Sequence, residues 1–192
     1  MITISSNIGD TTVRLGAWVS KVGGAGRKLL FSAAANAVAI LVRSHIARLG
    51  TWKHASAERI GATPTGFLSK AARGTVHNAS ENHGEVVIPS PGFSRAFHDV
   101  EIRPRNAAYL TIPASAEAYG KRAGVLAAHG WKIWRPKGRK FLMGSKGEDP
   151  KILYWLAESV MQKQDRELLP ADEEMQRAAA GAIMAEIRRI AS

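Results

Sequence analysis

The segment from Lys121 to Gly147 carries eight basic residues and no acidic residue. Charges of one sign cannot pair with one another, so a fold must leave this segment facing water or a polyanion. It also contains Trp131, Trp134 and Phe141, which argue against a disordered tail, because a disordered arm has no use for buried aromatic rings. The segment therefore predicts a structured element that presents its cations, which are Lys121, Arg122, Lys132, Arg135, Lys137, Arg139, Lys140 and Lys146.

Two strands are predicted inside this segment, at residues 131–134 and 140–143, with Pro136 to Arg139 as the turn between them. Because successive side chains of a strand point to opposite faces, Trp131 and Trp134 are predicted to lie on opposite sides of the sheet. One ring could then be core while the other is exposed and stacks on a base, a partner or an arginine stem. A solvated hairpin without a partner is the ordinary alternative. The absence of acids favours a polyanion, most often a phosphate backbone, over that alternative.

The whole chain of 192 residues predicts a single α+β domain with a helix first, a mostly antiparallel sheet and a helix last. Its three parts are an N-terminal helical part at residues 1–50, a sheet core at 75–161 and a C-terminal helix at 170–190. The first part is predicted to hold a short amphipathic helix through Val13, Ala17 and Val19 and a long helix at about 27–49. Residues 23–26 are glycine-rich and are interpreted as a hinge, because the spacing of a phosphate-binding Walker loop is missing.

Both long helices carry apolar residues at helical spacing. The C-terminal helix also has Asp172, Glu173 and Glu174 in its first turn and two arginines in its last turn, as the helix dipole favours. We predict that both apolar stripes pack in the core or against a neighbouring subunit. The predicted packing residues are Leu30, Ala33, Ala37, Ile40 and Leu41 in the first helix, and Met175, Ala179, Ala182, Ile183 and Ile190 in the last.

Composition narrows the classes of protein. The chain has no cysteine, which excludes a disulfide scaffold and cysteine-ligated zinc or iron–sulfur sites. No stretch approaches about 18 uninterrupted apolar residues, so neither a membrane span nor a membrane partner is predicted. The formal net charge of +11 lies in the body of the chain and favours an anionic partner.

Residues suited to catalysis are scattered. The six histidines show no helical metal-binding spacing, although His77 and His83 flank a predicted hairpin loop and could approach each other. Asp99 and Glu101 alternate on a predicted strand and could form a carboxylate pair, but a solvated face is the stronger interpretation. The sequence thus predicts a protein that is not an enzyme and has no metal site and no cofactor.

Several stretches resemble the virion-morphogenesis proteins of tailed bacteriophages, the small neck, tail-completion or head–tail joining proteins. The similarity lies in the residue pattern of these stretches and in their order along the chain. The basic segment carries more cations than the general pattern of these proteins. The similarity is found in residues 95–104 (RAFHDVEIRP), 109–114 (YLTIPA), 116–122 (AEAYGKR) and 156–165 (LAESVMQKQD), in Leu169-Pro170, and in the N-terminal and C-terminal helices.

The resemblance implies a structural α+β subunit of the virion, assembled in the host cytoplasm, with other phage head, neck and tail proteins as partners. It also implies a homo-oligomeric ring around the DNA path, for which six-fold symmetry is favoured, and non-specific contact with genomic DNA. The resemblance carries no catalytic residues to this chain. Two alternatives remain: a nucleic-acid-binding accessory protein that acts as a monomer or dimer, and, with less support, an enzyme such as a nuclease or muramidase.

Overall fold

The computed structural model describes residues 2–4, 23–52, 55–147 and 149–191. Within them the chain forms two compact units. Unit 1 comprises residues 1–52, 67–98 and 165–192, and unit 2 comprises residues 53–66 and 99–164. The predicted α+β class is confirmed, with a long N-terminal helix, antiparallel sheets and a C-terminal helix. The assignment of the whole chain to one domain stays a prediction, and the short helix predicted through Val13, Ala17 and Val19 lies outside the described residues.

Unit 1 is built around the long helix α1 (Gly24–Trp52), which packs against α3 (Phe67–Gly74), α5 (Asp172–Ala191), β2 (Val76–Ala79) and β3 (Gly84–Ile88). Strand β1 (Ile2–Ile4) pairs antiparallel with β3, which pairs antiparallel with β2. Two 3-10 helices at Pro91–Ala96 and Arg166–Leu168 complete the unit. The fully enclosed side chains of Val42, Ile46, Ile88 and Phe93 lie at the centre of its hydrophobic core.

Helix α1 begins earlier than predicted, and three residues of the supposed hinge, residues 24–26, lie inside its first turn. The Arg27 amide donates to the Gly23 carbonyl at 3.0 Å, which is the first hydrogen bond of the helix. The Glu81 carboxylate lies beside Gly24 and within 4.0 Å of the Arg27 guanidinium. A carboxylate at this end stabilises the positive pole of the helix dipole, so the glycines start a helix here and the hinge interpretation was wrong.

The buried stripe of α1 also differs from the predicted one. Leu30 is buried and the half-buried Leu41 packs against the core cluster, as predicted, whereas Ala33 and Ala37 are half-buried and Ile40 is 52% exposed. The core instead receives Ala35, Ala39, Val42, Ile46 and Leu49, which lie on an adjacent stripe. A helix with alanine around most of its circumference offers more than one apolar stripe, so helical periodicity alone did not select the correct one.

Helix α5 follows the prediction closely. Its first turn holds three acids and its last turn two arginines, and Arg189 pairs with Glu186 one turn earlier. Met175 and Ala179 are buried, Ala182 and Ile183 are half-buried, and Ile190 is 44% exposed. The buried side chains face α1, so this helix packs mainly against another helix.

Unit 2 contains two antiparallel sheets. Their six strands are β4 (Val100–Ile102), β5 (Leu110–Pro113), β6 (Lys132–Trp134), β7 (Phe141–Ser145), β8 (Lys151–Ala157) and β9 (Val160–Gln162). The larger sheet has the strand order β5-β8-β7-β6, and the smaller pairs β4 with β9. The short helices α2 (Ala55–Glu58) and α4 (Ala123–Ala128) also belong to unit 2.

By length and composition, one helix of the described residues, Gly24–Gly50, is long and apolar enough to cross a membrane. The sequence argument against a membrane span set this helix aside because Ser32 and Asn36 interrupt its apolar run and Arg43 ends it. The core helix of a globular protein meets the same criterion, and Val42 and Ile46 of this helix are fully enclosed by protein. An 18-residue apolar window of this helix is 33% buried inside the protein.

Candidate nucleic-acid interface on the basic hairpin

Strands β6 and β7 form the predicted hairpin, which we call the basic hairpin (residues 131–146). The Arg139 amide donates to the Pro136 carbonyl at 3.1 Å, which closes the four-residue turn that the sequence predicted. Gly138 occupies the third position of that turn with a φ of 73°. Glycine is favoured there because a side chain would strain a left-handed backbone, so the chemistry of the turn fixes where the hairpin reverses.

A small core cluster supports the hairpin from one side. Leu126 of α4 is buried with Leu153 and Tyr154 of β8, and Trp131 and Ile133 of the hairpin pack against them. Trp134 points to the other face and is 39% exposed. The predicted division of the two tryptophans between core and surface is therefore confirmed, and the hairpin is anchored along one face only.

A hydrogen bond fixes the start of the basic segment. The Tyr154 hydroxyl donates to the Lys121 carbonyl at 3.0 Å, and the tyrosine side chain is fully enclosed. Burial raises the pKa of the Tyr154 hydroxyl, because the phenolate would lose its hydration. Lys121 and Arg122 therefore enter α4 from a position tied to the sheet, while their charged groups stay in solvent.

All eight predicted cations are exposed. Of these eight cations, only Lys140 forms an ion pair with a described residue, and its ammonium lies 2.9 Å from the Glu158 carboxylate. The pKa of Lys140 is raised by its hydrogen bond to Glu158, and the pKa of Glu158 is lowered by the same bond. The sequence argument that no acid neutralises the segment is thus corrected at one position, since Glu158 approaches from the next strand. The other seven have no carboxylate partner in the part of the chain described.

Arg135 is oriented by two contacts. Its guanidinium lies 4.9 Å from the centre of the Tyr109 ring, and its Nε donates to the Arg139 carbonyl at 2.8 Å. Neither contact removes its charge, because a ring face and a carbonyl are neutral. The structure therefore brings Lys132, Arg135, Lys137, Arg139 and Lys140 together on one hairpin and its turn. Lys121, Arg122 and Lys146 flank the hairpin in sequence.

Sequence reasoning missed two residues of this region. Lys151 lies beyond the acid-free segment, but it pairs with Glu117 and its ammonium lies 5.3 Å from the Trp131 ring centre. The pKa of Glu117 is lowered, first of all by the hydrogen bond from Lys151. Trp155 is opposite Phe141 on the neighbouring strand and is 48% exposed. Only the pairing register of β7 and β8 reveals both positions.

The carboxylates considered for catalysis have separate partners. Asp99 accepts from the Lys163 ammonium at 2.8 Å and from the Gln164 amide at 2.7 Å. Glu101 pairs with Arg103 at 3.1 Å, and this hydrogen bond is the first cause of its lowered pKa. His83 bonds to the Ser80 hydroxyl at 3.0 Å. Among the described residues, no group of three or more histidines and carboxylates could hold a metal ion.

In comparisons with known proteins, no family model, no curated protein and no solved structure matches the chain. The similarity to phage virion-morphogenesis proteins therefore rests on the sequence stretches quoted above. The physical argument for function rests on the basic hairpin.

Proposed function

We propose that this protein is a structural virion subunit of a tailed phage, located at the neck or tail end, where it completes the tail or joins head and tail. It works in a homo-oligomeric ring around the DNA path, together with other head, neck and tail proteins. The virion role comes from the sequence resemblance. The DNA-facing role is carried by one observation, the exposed hairpin whose cations, apart from Lys140, lack acidic partners among the described residues.

A ring around a DNA path needs a lumen that tolerates phosphates, and cations on a rigid hairpin supply that property. The hairpin suits contact with the backbone rather than sequence reading, because lysine and arginine on phosphates position a duplex without specifying its bases. Half-buried alanines on α1, such as Ala33 and Ala37, would let a neighbouring subunit approach closely. The exposed Ile40 and Ile190 would gain burial in the same contact.

The direct test is the assembly state of the purified chain. Native mass spectrometry and negative-stain imaging should show a closed ring, with six copies favoured, alone or after addition of neighbouring virion proteins. A monomer or dimer that never forms a ring under either condition would contradict the proposal. It would instead favour a nucleic-acid-binding accessory protein, the alternative that the same cations and the exposed Trp134 support.

A further inference from the structure

The larger sheet of unit 2 has one covered face and one face that displays aromatic side chains. Helix α4 covers the first, where Leu126 packs with Tyr154. Strand pairing sets Ile112, Trp155 and Phe141 side by side across three strands, and sets Ile152, Met143 and Trp134 side by side in the next row. Residues paired directly across two strands share a face, and Phe141 and Met143 lie two residues apart on β7, so the two rows lie together on the second face, which we call the aromatic face. The register shift between β7 and β8 at Leu142/Met143 allows Ile152 and Trp155, three residues apart on β8, to share that face.

The aromatic face is unusual in its exposure. Trp155 is 48% exposed and Trp134 is 39% exposed, and the remaining four residues are half-buried. The Trp155 and Phe141 rings meet edge to face with centroids 5.8 Å apart, so their orientation is fixed before any partner arrives. An antiparallel sheet with one face in water normally carries polar residues there. A contiguous apolar strip in that position indicates a binding surface.

The charges beside this face narrow the choice of partner. Lys132 alternates with Trp134 on β6 and therefore lies on the aromatic face, and it is exposed. Lys137 and Arg139 follow at the turn of the same hairpin, also exposed. A second copy of the chain docked through the same face would oppose these cations to each other, which like-charge repulsion disfavours.

Exposed rings beside cations fit a polyanion that carries flat apolar groups. A nucleic-acid duplex offers phosphates but hides its bases in the stack, so it would leave Trp134 and Trp155 unused. A single strand offers both groups, since its bases stack on aromatic side chains while its phosphates contact lysine and arginine. The combination therefore favours unpaired nucleic acid over duplex DNA and over an acidic protein.

We propose that the aromatic face binds single-stranded nucleic acid, with bases stacked on Trp155 and Trp134 and phosphates held by Lys132, Lys137 and Arg139. Stacking accepts every base, so binding is expected without sequence preference. The inference goes beyond the proposed virion role and holds whether or not the chain forms a ring.

The test compares two single strands of equal charge. One is an oligothymidine of about 16 nucleotides, and the other is a deoxyribose-phosphate chain of equal length without bases. Fluorescence anisotropy of the labelled strands measures both affinities at one fixed salt concentration. We expect the full chain to bind the oligothymidine about 100-fold more tightly than the abasic chain, about 10-fold for each of the two stacked bases. Equal affinities would overturn the proposal without requiring any variant to fold.

Variants locate the preference on the aromatic face. Trp155→Ala should reduce the preference by about 10-fold, the share of one stacked base, and leave the affinity for the abasic chain unchanged. Trp155→Phe should retain part of that share because a ring remains. Met161→Ala is the matched control, since Met161 is 54% exposed in the other sheet of unit 2. Circular dichroism of each variant checks folding.

Retention of the full preference in both Trp155→Ala and Trp134→Ala would overturn the assignment to this face. If these variants keep the preference but lose self-association in sedimentation, the assignment is also overturned, and the face is then a contact between copies.

Discussion

The two units of this chain use their apolar side chains differently. The core cluster of unit 1 holds twelve buried residues, which come mainly from three helices, a strand and two 3-10 helices. The core cluster of unit 2 holds four buried residues, and Tyr154 is one of them. Unit 2 leaves Trp134 and Trp155 exposed next to cations without acidic partners among the described residues. Unit 1 also exposes apolar side chains, such as Ile40 and Ile190, so the units differ in the size of their buried clusters and in the cations beside the exposed rings of unit 2. DNA binding is therefore expected to follow substitutions in unit 2, and stability to follow those in the core of unit 1.

The largest expected effect tests the core of unit 1. Ile46→Ala should lower the free energy of unfolding by about 2–5 kcal/mol, because it opens a cavity at a fully enclosed position. Ile40→Ala is the matched control on the same helix, and with a half-exposed side chain it should change the value by less than about 0.5 kcal/mol. Urea unfolding measures both. Equal losses would mean that the stripe predicted from the sequence is buried after all.

The next effect concerns the charges of unit 2. Changing Arg135, Lys137, Arg139 and Lys140 to serine should flatten the salt dependence of duplex DNA binding by about two to four units of log–log slope, at about 0.9 per lost phosphate contact. A control with the same change in net charge replaces four exposed cations of unit 1, and it should keep the wild-type slope. Its substitutions are Lys28→Ser, Lys70→Ser, Arg73→Ser and Arg188→Ser.

A slope reduced equally by both quadruple variants would mean that net charge, and not the hairpin, attracts DNA. An unchanged slope in the hairpin variant would show that its cations do not contact DNA. They would then be a solvated surface or contact an acidic protein.

A smaller effect tests how unit 2 holds the basic segment. Tyr154→Phe removes the hydroxyl that donates to the Lys121 carbonyl and should cost about 1 kcal/mol of unfolding free energy. The pKa of this tyrosine is raised in the folded state. Its protonated form therefore stabilises the fold at every pH below the pKa of the unfolded state, which is about 10. That contribution should fall as the pH rises above about 10, and the Tyr154→Phe variant should lack this part of the fall. Identical alkaline profiles for the two proteins would show that the hydroxyl is not buried.

The smallest effect concerns the one neutralised cation of the hairpin. Glu158→Gln removes the carboxylate partner of Lys140, so the pKa of that lysine should return toward its ordinary range. The freed ammonium should then steepen the salt slope of DNA binding by about one unit at most. Lys163 provides the control, because Asp99→Asn frees a lysine of unit 2 outside the basic hairpin and should leave the slope unchanged. Equal steepening by both changes would argue against a special role for the hairpin.

Local patterns predicted much of this fold. The hairpin turn was predictable because Pro136 and Gly138 have strong backbone preferences, and the dipole-matched ends of α5 were predictable for a similar reason. Alternation alone separated Trp131 from Trp134. These features depend on residues close together in sequence.

Features that depend on distant residues were missed or wrong. The buried stripe of α1 differs from the predicted one because alanines lie around most of the helix, so tertiary contacts decide which side is buried. Ile46 is buried, whereas the predicted Ile40 is half-exposed. Asp99 and Glu101 were predicted to alternate on one strand, yet the strand is confined to Val100–Ile102 and follows a 3-10 helix. The aromatic face could not be read from the sequence, since only the pairing of β7 with β8 brings Trp155 beside Phe141.

Deletion of the gene that encodes this chain tests the proposed virion role most directly. Electron microscopy of the resulting lysate should show filled heads and tails that fail to join or are malformed, and expression of the wild-type chain in trans should restore complete virions. Normal particles, with a defect confined to DNA replication or lysis, would contradict a structural role at the neck or tail end.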